Sequence, residues 1–428
     1  MNTKKLLKDY TTEQLCELER TVQKRYDEFV AAGISLNMAR GKPASDQLDL
    51  SDDMFSLSLK EEGFLSSDNN DCRNYGLLYG IPECRKLFGE ILGVDAENVM
   101  ACGSSSLNLM FDFIAQCCYS GIAGCKPWMF NKNRKFIAVV PGYDRHFAIA
   151  QYFGLEMINV PMTSKGPDMD MIEDIIKDPD VKGMFCVPKY SNPDGITYSD
   201  ETVKRLAAMK PAAKDFRVIW DNAYAVHDFY DEGDKLLNIF DEAEKYGNQD
   251  NFVAFTSTSK ITYAGAGVSA IGTSKNNFDE ISKRLTLQII SYDKINQLRH
   301  CRVYKSMDDI KAQMKKHAAI LRPKFSTVLE ILDRELSGLG IALWNEPKGG
   351  YFISLDVVTG SAKYVGELCK NAGLTLTGVG ATYPYGKDPE DKNIRLAPSC
   401  PSVEELKVAS EIICLSVILA ACKELKGE

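Results

Sequence analysis

From about residue 99 the chain alternates short apolar, β-branched runs with longer stretches of helical periodicity. Residues 99–102, 136–140, 157–160, 184–187, 217–220, 252–256 and 268–272 read as strands, and segments such as 107–118, 146–153 and 201–209 read as helices between them. Such alternation predicts an α/β fold, with a mostly parallel seven-stranded sheet between helices. Ahead of it, Thr11 and Gln14 fit a capping box opening a helix, with Leu15, Leu18, Val22, Tyr26 and Phe29 at helical spacing up to Gly33. Behind it, a helical pattern from 307 to 336, broken near Pro323, leads to strands 351–357 and 394–397 and a last helix, 404–425. That tail reads as a smaller α+β domain. The expected division is 1–60 (N-terminal helix and part of the small domain), 61–306 (large domain) and 307–428 (small domain). No repeat, low-complexity tract or linker separates them, so the domains share an interface.

Composition narrows the classes. A chain of 428 residues holds two or three domains' worth of core, and 45% hydrophobic with 26% charged residues excludes extended disorder, collagen and coiled coil. A net charge of −8 argues against nucleic acid or an anionic membrane surface as the main partner, while leaving room for a local basic pocket. The opening MNTKKLLKDYTTEQL lacks the apolar stretch of a signal peptide. The longest apolar run, 412–422, is interrupted by Ser416 and is too short to span a bilayer. Thirteen cysteines without a C-x-x-C pair, and four histidines with none at i, i+4, outline no zinc site. The expectation is a cytoplasmic protein with reduced thiols and neither metal nor membrane.

In parallel sheets ligands bind beyond the carboxyl ends of strands, so the residues following each run come next. Gly103-Ser104-Ser105-Ser106 opens a helix, which makes either an anion site of free backbone N–H groups or an ordinary serine N-cap. It is no Walker loop. Gly265-Ala266-Gly267 and Gly378-Val379-Gly380 have Ala270 and Tyr383 where a dinucleotide fingerprint needs its third glycine. Pro141-Gly142-Tyr143 lifts an aromatic ring from a strand end or merely starts a helix. Asn192-Pro193-Asp194-Gly195 has the composition of a plain β-turn. Asp221 ends an apolar strand, where a carboxylate needs a cationic partner. Lys260 follows Ser257-Thr258-Ser259.

Order and spacing carry more than any single item. Asn192, Asp221, Tyr224, Lys260 and Arg395 are separated by 29, 3, 36 and 135 residues. With Arg40-Gly41-Lys42-Pro43, Tyr75 in YGLLYGIPE, Gly103-Ser104-Ser105, Pro141-Gly142-Tyr143, Pro347-Lys348-Gly349-Gly350-Tyr351-Phe352 and Ile394-Arg395-Leu396, this pattern resembles the class I/II aminotransferases of pyridoxal-phosphate (PLP) fold type I. The likeness runs from about Leu36 to Leu425. RGKP together with Ile295-Asn296-Gln297-Leu298-Arg299-His300 is most similar to a divergent bacterial subgroup of aspartate aminotransferases.

The resemblance implies roles. Lys260 would form the imine with the PLP aldehyde and then move the Cα proton; Asp221 would pair with the pyridine nitrogen; Asn192 and Tyr224 would bond the phenolic oxygen; Tyr143 would stack on the ring. His146 would orient Asp221. Gly103, Ser104, Ser105, Ser257 and Ser259 would hold the phosphate, with Tyr75 reaching it from the neighbouring subunit of a homodimer. Arg395 would clamp the substrate α-carboxylate, and Gly41 would allow close backbone approach beside it.

Two departures stand out. Val268 replaces the phosphate-binding arginine usual eight residues after the lysine, and Asp194 replaces the usual threonine at a turn position expected to matter little. A dicarboxylate substrate calls for a second cation. The candidates are Arg40, Lys42, Arg145, Arg299 and Arg302, with Arg145 first because it lies beside Tyr143. The implied activity is ping-pong transfer of an amino group from aspartate or glutamate to a 2-oxo acid such as 2-oxoglutarate. The alternatives are an aminotransferase for aromatic or neutral amino acids, a PLP carbon–sulfur lyase and, from another class, a ligand-sensing regulatory module. The last would carry an N-terminal DNA-binding domain, whereas one helix and no basic cluster precede Leu36.

Overall fold

The computed structural model describes residues 5–427. The large sheet has the order Val99–Ala101, Ser269–Thr273, Phe252–Ser257, Arg217–Asp221, Val181–Cys186, Lys135–Val140, Glu156–Thr163 and Gly166–Pro167. Five neighbouring strands, from Phe252–Ser257 across to Glu156–Thr163, run parallel, while Ser269–Thr273 opposes both its neighbours. The expected seven strands are all present. The eighth, Gly166–Pro167, is a two-residue return on the edge strand. Strand Val181–Cys186 starts three residues before the expected 184, because a lysine and a glycine disguise its beginning. Lys182 is buried there against Asp215 at 3.0 Å, and a Cβ on Gly183 would overlap the Arg217 carbonyl and the Phe136 ring.

The chain steps outward from Lys135–Val140 to Glu156–Thr163, then crosses back to place Val181–Cys186 on the other side. The loops leaving Val140 and Cys186 therefore part in opposite directions, opening a crevice at the carboxyl ends of the strands.

A second sheet, Ala342–Trp344, Ile353–Val357 and Asn393–Leu396, is antiparallel and sets Ser354 opposite Arg395. The expected strand at 351 begins instead at Ile353, since Tyr351 and Phe352 turn toward the crevice. Helix Thr12–Ala32 forms with the expected capping box, Thr11 Oγ1 accepting from the Gln14 N–H at 3.2 Å, and ends at Gly33 with φ +60°. Its Tyr26 hydroxyl donates to the Leu368 carbonyl at 2.8 Å, and Leu36–Asn37 pairs with Leu374–Thr375. Both chain ends thus share one apolar core, in which Leu15 and Val22 join Ile413 and Val417.

Helix Met307–Leu336 runs unbroken through Pro323, contrary to the expected break there. An interior proline costs about 3 kcal/mol, but the same helix buries Met314, Leu321, Phe325, Val328 and Leu332, which is worth more at roughly 1.5–3 kcal/mol per side chain. Residues 412–422 are buried throughout in helix Val403–Lys426. No helix among the described residues is long and apolar enough to cross a membrane.

Candidate active site

Four adjacent parallel strands deliver side chains to the crevice. Lys135–Val140 leads through Pro141 and Gly142 to Tyr143 and the helix Asp144–Tyr152; Val181–Cys186 leads to Asn192; Arg217–Asp221 ends on Asp221; Phe252–Ser257 leads to Lys260. The second sheet adds Arg395 from across the interface. These side chains, with Tyr224, line one cavity of about 500 Å³.

Asp221 sits at its floor. Its Oδ2 accepts from His146 Nε2 at 3.0 Å, while its Oδ1 is buried with no hydrogen-bond partner. His146 stacks on Phe185 with centroids 4.4 Å apart and planes at 8°, which fixes the imidazole and, through it, the carboxylate. A buried carboxylate oxygen left open is costly. The floor is therefore built to receive a hydrogen-bond donor, preferably a cationic one.

Lys260 Nζ lies 5.0 Å from the Tyr224 ring centroid and 5.9 Å from that of Tyr351. Burial pulls its pKa below the ordinary lysine value, with the Asp221 charge opposing. Burial likewise lifts the Tyr143 phenol to about 12 and Tyr224 well above its usual range, so both stay protonated hydroxyl donors. Behind Lys260, His227 is buried, and burial with the nearby lysine charge pulls its pKa well below the ordinary imidazole value, holding it neutral.

Arg395 is buried and held on several sides. Its Nη1 donates to Asp144 Oδ1 at 2.8 Å and Asn192 Oδ1 at 3.2 Å, its Nε to Thr377 Oγ1 at 3.3 Å, and its guanidinium lies 5.0 Å from the Phe352 ring centroid. Gly41 makes room for that ring, since a Cβ there would overlap Phe352. Arg40, Lys42 and Arg145 also line the cavity, and none has a side-chain partner among the described residues. Arg299 and Arg302 do not line it. They lie against the Phe55 ring and the Leu65 carbonyl, which removes them as readers of a ligand in this cavity.

Gly103, Ser104, Ser105, Ser257 and Ser259 do not line this cavity but adjoin the lining residues Ser106 and Lys260: Ser257 donates to Ser259 at 3.0 Å and Ser259 to the Ser104 carbonyl at 3.2 Å. The Gly103 carbonyl accepts from both the N–H and hydroxyl of Ser269 at 2.6 Å. Ser105 is a true N-cap, accepting from the Asn108 N–H at 3.3 Å, so its hydroxyl oxygen is already engaged. Ser106, the last residue of the Gly-Ser-Ser-Ser stretch, and Leu107, not singled out from the sequence, are the first-turn residues that face the cavity. Val268 is buried and donates its N–H to Thr258 Oγ1 at 2.9 Å, so an apolar side chain occupies the place of the usual arginine. Asn296 holds the Ala266 and Gly267 carbonyls at 2.9 and 3.1 Å, and Gln297 Oε1 accepts from the Ile81 N–H at 3.0 Å. The INQLRH segment thus braces the loop after Lys260. Tyr75 does not line this cavity; the residue is 79% exposed.

The model of the aspartate aminotransferase family matches residues 10–428. The chain belongs to that family. An aspartate aminotransferase of Corynebacterium glutamicum is 48% identical over 421 residues, covering 97% of this chain and 96% of that one. The crystal structure of an aspartate transaminase from the same species superposes with a TM-score of 0.96 at 48% identity, covering 98% and 99% of the two chains. An α-aminoadipate aminotransferase from Thermus thermophilus, solved with N-(5'-phosphopyridoxyl)-L-leucine, shares the fold at a TM-score of 0.73 and 19% identity, over 92% and 93%. Aminotransferase activity and the type I fold follow from this membership, and the family implies PLP.

Asp194 is the clearest surprise. It is buried beside Ser354 with Oδ2 unpartnered, and burial lifts its pKa to about 7. The turn it occupies is covered by Pro347 and by strand Ile353–Val357, which no local pattern reveals. Asp144 was likewise passed over, although an acid in the first turn of a helix beside a cavity is a visible signal.

Proposed function

We propose that this aminotransferase moves an amino group from aspartate or glutamate to a 2-oxo acid such as 2-oxoglutarate, using PLP. The observation that carries the substrate class is a cavity with a buried arginine, Arg395, on one wall and three unpaired cations, Arg40, Lys42 and Arg145, also facing it. In a chain of net charge −8 such a local excess of positive charge fits a ligand with two carboxylates.

The residues fit the cofactor, since the open Asp221 Oδ1 is the acceptor that a protonated ring nitrogen needs. When bound, PLP supplies an electron sink for the charge left on a substrate Cα. Asp221, fixed by His146, would hold the ring nitrogen. Lys260 would supply the amine that tethers the cofactor and later carries the Cα proton, and a lowered pKa leaves it uncharged often enough to take that proton. Tyr143 would cover the ring, while Asn192 and Tyr224 would bond its phenolic oxygen. Ser104, Ser257, Ser259 and the N-terminal turn at Ser105, Ser106 and Leu107 would hold the phosphate. Arg395 would orient the α-carboxylate, and Arg145 would take the second carboxylate, with Arg40 beside it.

Two further assignments belong to the same reading. The exposed Tyr75 would serve the phosphate site of a neighbouring chain in a homodimer. Thirteen unpaired cysteines fit a reducing compartment, the cytoplasm.

An amino-donor panel with 2-oxoglutarate tests the reading. Aspartate is expected to give oxaloacetate with a kcat/KM well above those of alanine and phenylalanine. Ready turnover of neutral amino acids, with no oxaloacetate from aspartate, would overturn it.

A further inference from the structure

The hydrogen-bond inventory of Arg395 leaves little room for a substrate. A guanidinium binds a carboxylate through one of two edges, Nη1 with Nη2 or Nη2 with Nε. Here both hydrogens of Nη1 are engaged, one by Asp144 Oδ1 at 2.8 Å and one by Asn192 Oδ1 at 3.2 Å, and Nε is engaged by Thr377 Oγ1 at 3.3 Å. Only Nη2 has no protein acceptor among the described residues. Among these partners Asp144 alone carries charge. Its side chain is 32% exposed and lines the cavity, whereas that of Arg395 is 6% exposed. Asp144 has no other side-chain partner among the described residues, and it heads the helix Asp144–Tyr152, where an anion is favoured in its own right.

We propose that Asp144 is an internal competitor for the carboxylate site of Arg395, occupying the clamp between substrates and yielding it when an α-carboxylate arrives. The inference rests on Arg395 being the α-carboxylate clamp. Its physical basis is the cost of a buried guanidinium without a counter-ion. In a two-stage reaction the clamp must release an oxo-acid product before the next substrate binds, and Asp144 supplies the replacing anion. Every substrate of the enzyme carries the α-carboxylate, so the competition weakens all of them equally. It acts on ground state and transition state alike and therefore appears in KM rather than in kcat.

The test compares wild-type holoenzyme with Asp144→Asn, which keeps the shape and one acceptor but removes the charge. Binding of acetate, a carboxylate with neither amino group nor second charge, is measured by calorimetric titration, together with the rise in Tm that acetate produces. Asp144→Asn is expected to bind acetate about 10-fold more tightly, and its Tm is expected to rise more with acetate than that of the wild type. KM for aspartate and for 2-oxoglutarate should fall by a common factor. Unchanged or weaker acetate binding in Asp144→Asn, or a fall in KM for one substrate only, would overturn the proposal. Arg395→Lys separates the two layers. If it binds acetate as the wild type does, the clamp reading itself fails; if it loses acetate while Asp144→Asn shows no gain, only the role of Asp144 fails.

Discussion

His146 and Asp221 form a pair in which one carboxylate oxygen is taken and the other is kept open. Nε2 of His146 lies 3.0 Å from Asp221 Oδ2, and Oδ1 is buried without a hydrogen-bond partner. The imidazole is itself fixed by stacking on Phe185 and by the Tyr143 ring edge-on at 4.9 Å. Removing it would free the carboxylate to turn and would leave Oδ2 buried and unsatisfied.

Truncating His146 to alanine should therefore weaken PLP binding and slow turnover, each by roughly 10- to 100-fold, the worth of a hydrogen bond to a charged group. Equilibrium binding of PLP to the apoenzyme measures the first and kcat the second. His146→Gln, which can still donate to Asp221, should recover part of both. PLP affinity within two-fold of wild type in the alanine variant would mean that Asp221 is held by other means.

Gly41 is tied to Arg395 through a ring. A methyl group at residue 41 would overlap Phe352, whose face supports the guanidinium. Gly41→Ala should raise KM for aspartate and 2-oxoglutarate together, by about 10-fold, through loss of the cation–π contact and misplacement of the clamp. Steady-state kinetics on both substrates checks it. A change confined to kcat would place the damage elsewhere.

The second carboxylate should report on the unpaired cations. Arg145→Gln is expected to lower kcat/KM for aspartate by 10-fold or more, at about 1.5–3 kcal/mol for a charged hydrogen bond, while leaving alanine within two-fold. Arg40→Gln and Lys42→Gln, tested in parallel, identify the reader by which variant loses the preference for aspartate over alanine. Equal losses on both amino acids in all three variants would leave the side-chain reading without a residue.

What was legible in the sequence divides along a physical line. Strand ends and the residues following them are local features, so Lys260, Asp221 and Asn192 could be found from an apolar run and its exit. Partnerships made by docking the small domain are not local. Asp194 looks like a turn residue until Ser354 is laid over it, and Asp144 looks like a helix-capping charge until Arg395 arrives from a strand 251 residues further along. Arg299 and Arg302 erred in the opposite sense: their charge invites a functional reading, but helix Lys294–Val303 presents them to Phe55 and Leu65. The unbroken helix through Pro323 shows packing overriding a strong local signal.

Asp194 gives a prediction whose sign can be worked out. Its carboxyl titrates near 3.8 when solvated and at about 7 in the folded chain, because burial disfavours the charged form. The folded state thus binds the proton more tightly than the unfolded one. Its contribution to stability is fully present below about pH 4, declines as pH rises toward 7, and is constant above that. At about 1.4 kcal/mol per pKa unit the whole swing is at most about 4 kcal/mol. Asp194→Asn has no proton to lose there, so its stability relative to wild type should increase from pH 5 to about pH 7 and level off by pH 8. Chemical denaturation of both proteins at pH 5, 6, 7 and 8 isolates the effect, since all other groups cancel in the difference. A difference that does not change with pH would show that Asp194 is ionised throughout, and that Ser354 or another neighbour satisfies its charge.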